Sequence, residues 1–324
     1  MTRIAELVAY PMKSLDGVAV DSAALGPRGA LRGDRSYAFV EAGVDPRDAS
    51  VSGGGGYVNG KSEPAIHRLR ASYELTGPTD ATPTAVTLER PARGADGDVG
   101  RNAGRDGDID PDGDRGAGVE AAERRFALPD ETDALAAWVG EYLGYPVDLV
   151  REPDGGFPDD RAAPGPTVVS VGTLEAVASW FDGIADATEA RRRLRPNVVL
   201  DDCPAFWEDH LFADHGEGVR VAVGDAELVG VNPCQRCVVP SRHPDTGVEL
   251  PGFRETFVER RRATFPEWTE SDRFDHDFRL MVNTVVPEEQ WGSTVAVGDR
   301  VTIEGTVETV DDNGIVVTAA EGDG

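Results

Sequence analysis

The sequence predicts an α+β fold that is rich in β-structure, with barrel-like domains and a few helices. Short segments of alternating apolar residues, separated by glycine and proline, recur through the chain and are typical of β-strands. Few segments have the spacing of an amphipathic helix, and these do not alternate regularly with strands. This arrangement favours antiparallel sheets and barrels over a doubly wound parallel sheet.

The first 150 residues are predicted to form one β-rich domain. Alternating patterns predict strands at residues 4–10, 17–25, 35–40, 66–75, 85–88 and 147–150. Residues 131–143 predict a helix whose apolar face carries Leu135, Val139, Tyr142 and Leu143. Gly144 follows that face and is expected to end the helix.

A polar segment rich in proline and glycine, residues 151–166, is predicted to be a domain boundary. It divides the chain into an N-terminal domain (1–150), a second domain (160–305), and a C-terminal strand with an acidic tail (306–324). The second domain has helical patterns among its strands, at residues 173–181, 189–194 and 253–262. Residues 93–118 are nearly all Gly, Asp, Ala and Arg, so we expect a disordered acidic insertion there.

The net charge of −27 limits the partners that this protein can have. Its acidic residues are spread along the whole chain, which is typical of halophilic surfaces that stay hydrated in concentrated salt. Such a surface repels nucleic acid and anionic lipid, so neither is an expected partner. An anionic ligand would need a local cationic pocket, and the only two lysines are Lys13 and Lys61.

The expected location is cytoplasmic. The chain has no run of eighteen apolar residues and no signal-peptide pattern at its start. Three cysteines in 324 residues do not make a disulfide framework. In a reducing compartment they would be free thiols, available as metal ligands or nucleophiles.

Two of the three cysteines form a C-x-x-C motif, Cys234 and Cys237, in the segment VNPCQRCVVPSRHPDTG. The motif has several interpretations: two small buried residues, a redox pair, a ligand for a soft metal, or part of a zinc site. A zinc site would draw on Cys203, His210 and His243. The sequence has no second C-x-x-C and no paired histidines at zinc spacing, and the flanking prolines are unlike a redox helix. Arg236, between the cysteines, would lower a thiol pKa or meet an anion.

Three further polar groups suggest anion binding. Arg193, Arg195 and Asn197 would point the same way if their segment is extended, as Pro196 favours, and would then suit a phosphate or a carbonyl-rich ring. The alternative is the solvated end of an arginine-rich helix. The turn with Lys13 and Ser14, and the GDR segment ending at Arg35, are weaker signals for a phosphate contact.

Taken together, these segments resemble the MOSC family, named for the C-terminal domain of molybdenum cofactor sulfurases. The resemblance is to its two-part, amidoxime-reducing form, in which a β-barrel domain precedes the MOSC domain. It is carried by YPMKSLDGVAV (10–20), GDR (33–35), RLRPNVVL (193–200), FWED (206–209), VGDAELVGVNPCQRCVVPSRHPDTG (223–247) and VAVGDRV (295–301).

The resemblance implies a molybdenum cofactor, Mo-molybdopterin, in a cleft between an N-terminal β-barrel-like domain and a MOSC β-barrel domain packed on it. It implies that Cys237 ligates molybdenum, with Cys234 as the alternative. It further implies that the pterin or its phosphate is held by Lys13, Ser14 and Arg35, with Arg193, Arg195, Asn197 and Arg236 nearby.

The resemblance also implies an activity: reduction of small N-hydroxylated compounds by oxygen-atom transfer at the metal. The chain lacks the cysteines of a plant-type iron–sulfur domain, so we expect electrons from a separate ferredoxin- or flavin-type protein. The alternative is a non-catalytic carrier of molybdenum cofactor or a sulfur-transfer module. No aminotransferase-like region precedes these segments, so desulfuration with pyridoxal phosphate is not expected.

Overall fold

The structure, a computed structural model, describes residues 1–45, 56–92, 119–274, 276–310 and 316–317. The predicted insertion at 93–118 and most of the predicted C-terminal tail lie outside these residues. The first half of the chain forms β1 (Arg3–Ala9), β2 (Val18–Val20), β3 (Ser22–Ala24), β4 (Tyr37–Glu41), β5 (Arg70–Gly77), β6 (Asp80–Arg90), β7 (Ala122–Ala127), α1 (Thr132–Leu143) and β8 (Val147–Arg151).

The second half adds eight strands and three helices to those described above. They are β9 (Val168–Ser170), α2 (Val171–Ser179), α3 (Ala187–Leu194), β10 (Val198–Asp201), β11 (Glu217–Val223), β12 (Ala226–Gln235), α4 (Phe253–Ala263), β13 (Arg279–Val285), β14 (Thr294–Ala296), β15 (Val301–Val310) and β16 (Val316–Val317). The described chain is therefore strand-rich α+β, which confirms the predicted fold class.

One large sheet joins the two halves of the chain. Its strand order is β16-β15-β11-β12-β13-β9-β10-β1-β2, so the first two strands of the chain extend a sheet built from the second half. β1 runs antiparallel to β10 with Leu7 opposite Val198, and β10 runs parallel to β9. The chain leaving β1 therefore lies beside the chain entering β10, and both lie beside the start of β9. The functional residues considered below converge at this edge.

The N-terminal half has a core of its own around smaller sheets. β5, β6 and β7 form an antiparallel sheet, and β4 pairs with β8. Helix α1 packs its predicted apolar face into this core, with Leu135 and Val139 fully buried. It ends at Gly144, whose φ of 82° suits a glycine C-cap. The predicted helix and its end are both confirmed.

The second half packs side chains on both faces of the large sheet. One core contains Ile4 and Leu7 of β1 together with residues of β11 and β12. A second core lies under α2, α3 and α4 and includes the stacked rings of Phe181 and Phe253, 4.5 Å apart. Among the described helices, none is long and apolar enough to cross a membrane.

Two predicted strands differ from the structure. The pattern at 17–25 is divided at Asp21 into β2 and β3, which belong to different sheets. The pattern at 66–75 begins instead as a 3₁₀ turn, Pro64–Arg68, because the Glu63 side chain accepts the Ala65 N–H and caps the turn. The alternation of apolar and polar residues continues through both segments, so it did not indicate where the strands are interrupted.

Gly230 of β12 tests the close packing beneath the sheet. A Cβ atom there would lie 1.8 Å from the carbonyl oxygen of Leu211. We expect Gly230→Ala to lower the free energy of unfolding by about 2–4 kcal/mol, because the backbone must shift to remove the clash. The matched control is Gly77→Ala, since no described atom lies within 4 Å of that added Cβ. Equal urea-unfolding midpoints for the two variants would contradict this account.

Candidate functional site

A cleft of about 940 Å³ is lined by residues that follow β1, by residues that precede β9 and β10, and by the end of β12. It is lined by every site residue that the sequence predicted: Lys13, Ser14, Arg35, Arg193, Arg195, Asn197, Cys234, Arg236 and Cys237. The structure therefore brings residues from both halves of the chain into one cleft.

The cleft has the opposite charge to the rest of the protein. Among the described residues its lining includes four aspartates, Asp16, Asp34, Asp159 and Asp160. The lining also includes eleven basic residues: Lys13, Arg35, Lys61, Arg70, Arg161, Arg191, Arg192, Arg193, Arg195, Arg236 and Arg242. Both lysines of the chain are present. In a protein of net charge −27, this is the local cationic pocket that an anionic ligand requires.

Backbone strain is concentrated at the cleft. Seven described non-glycine residues have positive φ. Four of these, Ser14, Arg35, Arg195 and Met281, line the cleft. The left-handed region is unfavourable for side chains of these kinds, so the surrounding contacts must hold them there. Such strain is characteristic of binding and catalytic sites.

Tyr10 organises the two arginines at the base of the cleft. The Arg195 guanidinium lies 4.1 Å from the centre of its ring, and that of Arg35 lies 5.1 Å away. The Tyr10 hydroxyl donates to the carbonyl of Pro196 at 3.1 Å. Burial raises the pKa of Tyr10, and the nearby arginines oppose that rise. The ring therefore acts as a neutral platform for two cations.

Lys13 and Arg35 form a cation pair on one wall. Lys13 Nζ donates to Asp159 Oδ1 at 2.5 Å and to the carbonyl of Phe157 at 3.0 Å. Burial lowers the pKa of Lys13, and Asp159 counteracts this. Arg35 pairs closely with Asp34, and its Nε lies 3.6 Å from Asp159 Oδ2. Burial opposes the charge of Arg35 as well, but the two carboxylates outweigh it and raise the pKa.

Asn197 uses its side-chain amide to join neighbouring segments of the protein at the cleft. Its Nδ2 donates to the Val8 carbonyl at 3.0 Å and to Asp34 Oδ1 at 3.2 Å, while its Oδ1 accepts from the backbone N–H and hydroxyl of Thr167. Asp34 Oδ1 also accepts the Tyr10 N–H at 2.7 Å. Asn197 therefore clamps β1, β9 and β10 together, and its polar atoms are already bonded within the protein.

The expectation that Arg193 and Arg195 lie on one extended segment is wrong. Arg193 belongs to the last turn of α3, where its guanidinium donates to Glu189 Oε1 at 2.6 and 2.8 Å. Arg195 is the left-handed C-cap, and its N–H donates to the Arg191 carbonyl. The left-handed cap at Arg195 reverses the chain so that it can enter β10. This requirement outweighs the preference for extended backbone that Pro196 gives to Arg195.

Arg195 is one of the cleft arginines that keep a buried donor for a ligand. Its Nη1 donates to the Leu15 carbonyl at 2.7 Å, but its Nη2 is buried without a hydrogen-bond partner in the described part of the chain. Burial lowers the pKa of Arg195. A buried guanidinium N–H without an acceptor is costly, and an anion or carbonyl oxygen bound in the cleft would satisfy it.

The C-x-x-C motif lies at the end of β12. Cys234 is within the strand, and Cys237 follows it in the loop. Arg236 Nη1 donates to the Cys234 Sγ at 3.1 Å and Nη2 to the Leu194 carbonyl at 2.9 Å. Burial raises the pKa of the Cys234 thiol and Arg236 partly opposes this. The Cys234 sulfur thus already accepts a hydrogen bond from the protein, and both cysteines line the cleft.

The zinc alternative has no support in the described residues, where no group of three or more His, Cys, Asp or Glu side chains could hold a metal. Cys203 packs against the core around β1, and burial raises its pKa to about 12. His210 stacks on Trp268 with ring centres 5.0 Å apart. Neither residue lines the cleft.

Several residues around the cleft were not predicted from the sequence. Asp245, within the quoted HPDTG turn, accepts from Arg192 at 2.9 Å and lies 2.6 Å from Arg70, so it ties the second half of the chain to β5. Asp159 lies in the segment interpreted as a domain boundary. His67 faces the cleft next to Gly60. Of these, only Asp245 had a sequence signal, as an unusual turn after the cysteines.

The fold and cleft define a strand-rich α+β protein with a cationic, cysteine-bearing cleft. Residues 1–146 match the family model of the MOSC N-terminal beta barrel domain, and residues 167–302 match that of the MOSC domain. Together these matches cover most of the chain, and the chain belongs to this family.

Curated relatives are similar over a shorter region. Mitochondrial amidoxime-reducing component 1 of Danio rerio is 31% identical over 130 residues, which cover 36% of this chain and 38% of the relative. The Homo sapiens protein of the same name is 29% identical over 133 residues, 36% of each chain. The Mus musculus protein is 33% identical over 81 residues, 25% of this chain and 21% of the relative. These alignments therefore span well under half of each relative.

His67 predicts a pH dependence of stability. Burial lowers its pKa from 6.5 to about 4, so the unfolded chain binds a proton more readily than the folded protein between these values. Stability is then complete above the unfolded pKa and falls as the pH drops towards 4, by about 1–3 kcal/mol.

The measurement is urea unfolding across this pH range. His67→Gln, which retains a side-chain donor near the Gly60 carbonyl, should flatten the pH dependence relative to the parent. His215→Gln removes an exposed histidine and serves as the control. If His67→Gln and the parent lose stability in parallel on acidification, His67 is not the titrating group.

Proposed function

We propose that the cleft binds molybdenum cofactor and that the loaded protein reduces small N-hydroxylated compounds. The observation that carries the proposal is the cationic cleft itself, which places eleven basic residues against four acidic ones beside two thiols in a protein of net charge −27. A phosphorylated pterin dithiolene is an anionic, sulfur-rich group that matches this lining. The amidoxime-reducing relatives and the MOSC family support the same class of chemistry.

The residues present fit such a group. Arg195 Nη2 is a buried donor without a partner among the described residues, and Arg236 Nε is another. Lys13 and Arg35 supply a cation pair for a phosphate, with Ser14 beside them on the cleft wall. Cys237 would supply the thiolate that ligates molybdenum, since a soft thiolate suits this metal. Cys234 is the alternative ligand, but its Sγ already accepts from Arg236.

The cofactor supplies the redox chemistry, and the protein supplies its placement and electrostatics. Conversion of an N–OH group to N–H consumes two electrons and two protons and releases water. Arg236 ties the segment between the two cysteines to the end of α3 through the Leu194 carbonyl. The Tyr10 ring holds Arg35 and Arg195 so that their charges face the same space.

Partners and location form part of the proposal. Electrons would come from a separate ferredoxin- or flavin-type protein, and the substrate would be a small N-hydroxylated molecule. The carboxylate-rich surface disfavours nucleic acid and membranes as partners. A halophilic, cytoplasmic setting accords with this surface and with free cysteines.

Cys237→Ala tests the metal ligand. The protein is made in a host that synthesises the cofactor. We expect the molybdenum content per chain of this variant to be lower than that of the parent by at least about tenfold, because losing a direct ligand weakens metal binding more than losing a supporting contact. Molybdenum is measured by elemental analysis, and circular dichroism checks the fold. Cys234→Ala is the matched control and should keep most of its metal. The reverse pattern would assign the metal to Cys234.

Turnover decides between an enzyme and a carrier. Parent protein that contains molybdenum should reduce benzamidoxime with an artificial electron donor, and Cys237→Ala should not. Bound molybdopterin without turnover in the parent would instead show a cofactor carrier or sulfur-transfer module. Stoichiometric zinc without molybdenum would overturn both.

A further inference from the structure

We propose that Asp159 is an internal stand-in for the anionic group of the ligand, occupying the Lys13–Arg35 cation pair until a tetrahedral dianion displaces it. The inference rests on the proposed function, because it concerns the same cleft and the part expected to hold a phosphate. It adds a competitor built into the chain, which sets both the selectivity and the affinity of the anion site.

The contacts of Asp159 are those of a bound anion. Its Oδ1 accepts from Lys13 Nζ at 2.5 Å, and its Oδ2 lies 3.6 Å from Arg35 Nε. One carboxylate thus bridges two cations that come from different turns of the N-terminal half. Desolvation in the cleft raises the pKa of Asp159, but Lys13 and Arg35 hold it well below its usual range. The carboxylate is therefore ionised, as a surrogate anion must be.

The carboxylate is also free to leave. The side chain of Asp159 is 61% exposed, whereas that of Lys13 is 6% exposed. It belongs to a strap of sixteen residues, 152–167, between β8 and β9 that contains neither helix nor strand. A connection of this length within a compact region is commonly functional. The strap is anchored on one side of Asp159 by the Phe157 N–H, which donates to the Arg35 carbonyl at 2.9 Å.

Asp160 anchors the strap on the other side. Its Oδ1 accepts the N–H groups of Ala162 and Ala163 at 3.0 and 3.3 Å, and its Oδ2 accepts from Asn283 at 3.1 Å. Both of its oxygens are thus used to fold the strap itself. Asp159 can rotate away from the cations by a change of side-chain rotamer while Phe157 and Asp160 keep the backbone in place.

Asp34 shows what a permanent counter-ion looks like in the same cleft. It is buried, pairs closely with Arg35, and accepts the Tyr10 N–H and the Asn197 amide. Its removal would leave the Tyr10 N–H without this acceptor and take one acceptor from the Asn197 amide. Asp159 makes no such link, so its contact with the cations is exchangeable whereas that of Asp34 is not.

The stand-in has a physical purpose. A buried ammonium without a partner tends to lose its proton, and burial already lowers the pKa of Lys13. Asp159 keeps Lys13 charged and Arg35 oriented before a ligand arrives. It also excludes weak competitors, because a monoanion gains little by replacing one carboxylate with another. A tetrahedral dianion brings more charge and more acceptor oxygens, so it prevails.

The test measures sulfate binding by isothermal titration calorimetry to the full chain, prepared in a host that does not make the cofactor. Sulfate is a tetrahedral dianion whose charge stays constant near neutral pH, and the ionic strength is held fixed. Asp159→Asn removes the competing carboxylate. Asp154→Asn is the matched control, because it removes the same charge from an exposed residue of the same strap that does not line the cleft.

We expect Asp159→Asn to bind sulfate roughly fivefold more tightly than the parent, the scale of one partly exposed ion pair. Asp154→Asn should change the affinity by less than about twofold, since screening weakens the effect of a charge outside the cleft lining. Unchanged or weaker binding by Asp159→Asn overturns the proposal. So does equal tightening in both variants, which would reflect net charge alone, or sulfate binding by none of the three proteins.

The molybdenum content of the same three proteins, made in a host that synthesises the cofactor, separates this inference from the proposed function. If the parent contains molybdenum but Asp159→Asn does not tighten sulfate, the stand-in is wrong and the proposed function remains. If sulfate binding responds as expected but no protein retains molybdenum, the anion site is real and the proposed function fails.

Discussion

The pairing of β1 with β10 is the constraint on which the rest of the site depends. It places Tyr10 beside Pro196, residues separated by 186 positions in the chain, and the tyrosine hydroxyl bonds directly to that carbonyl. Asn197 secures the junction through Val8 and Asp34. Because the strands are antiparallel, the turn that follows β1 meets the segment that precedes β10. Without this register, the N-terminal cations would not face the cysteines.

The second constraint is electrostatic. Gathering many guanidinium groups around one cleft is unfavourable unless each charge has a partner or a ligand. The protein meets this need with carboxylates of different character. Asp34 is buried in the strand junction, Asp245 bridges Arg70 and Arg192 at the rim, and Asp159 stands exposed within the cleft. The cleft is therefore both strongly basic and internally compensated, in a protein of net charge −27.

Much of the fold followed from local patterns. Helix α1, its buried face and its end at Gly144 were read from apolar spacing and one glycine. Lys13, Arg35, Arg195 and the two cysteines line one cleft. The orientations of the site side chains did not follow from local sequence patterns. Arg193 pairs with Glu189 because its segment is helical, which brings residues four apart onto one face. Asn197 bonds to Val8, a residue distant in sequence, and so joins two strands.

By itself, the sequence determined the β-rich class, the acidic surface, the free thiols and the residue types available to bind an anion, since composition and periodicity are local properties. Tertiary structure alone decided which of those residues are structural and which face the cleft. It left the Arg195 Nη2 group without a protein acceptor among the described residues, and it brought Asp159 from a loop interpreted as a boundary onto Lys13. The physical reason is that a hydrogen bond depends on register and chain path, and neither is encoded in the spacing of nearby residues.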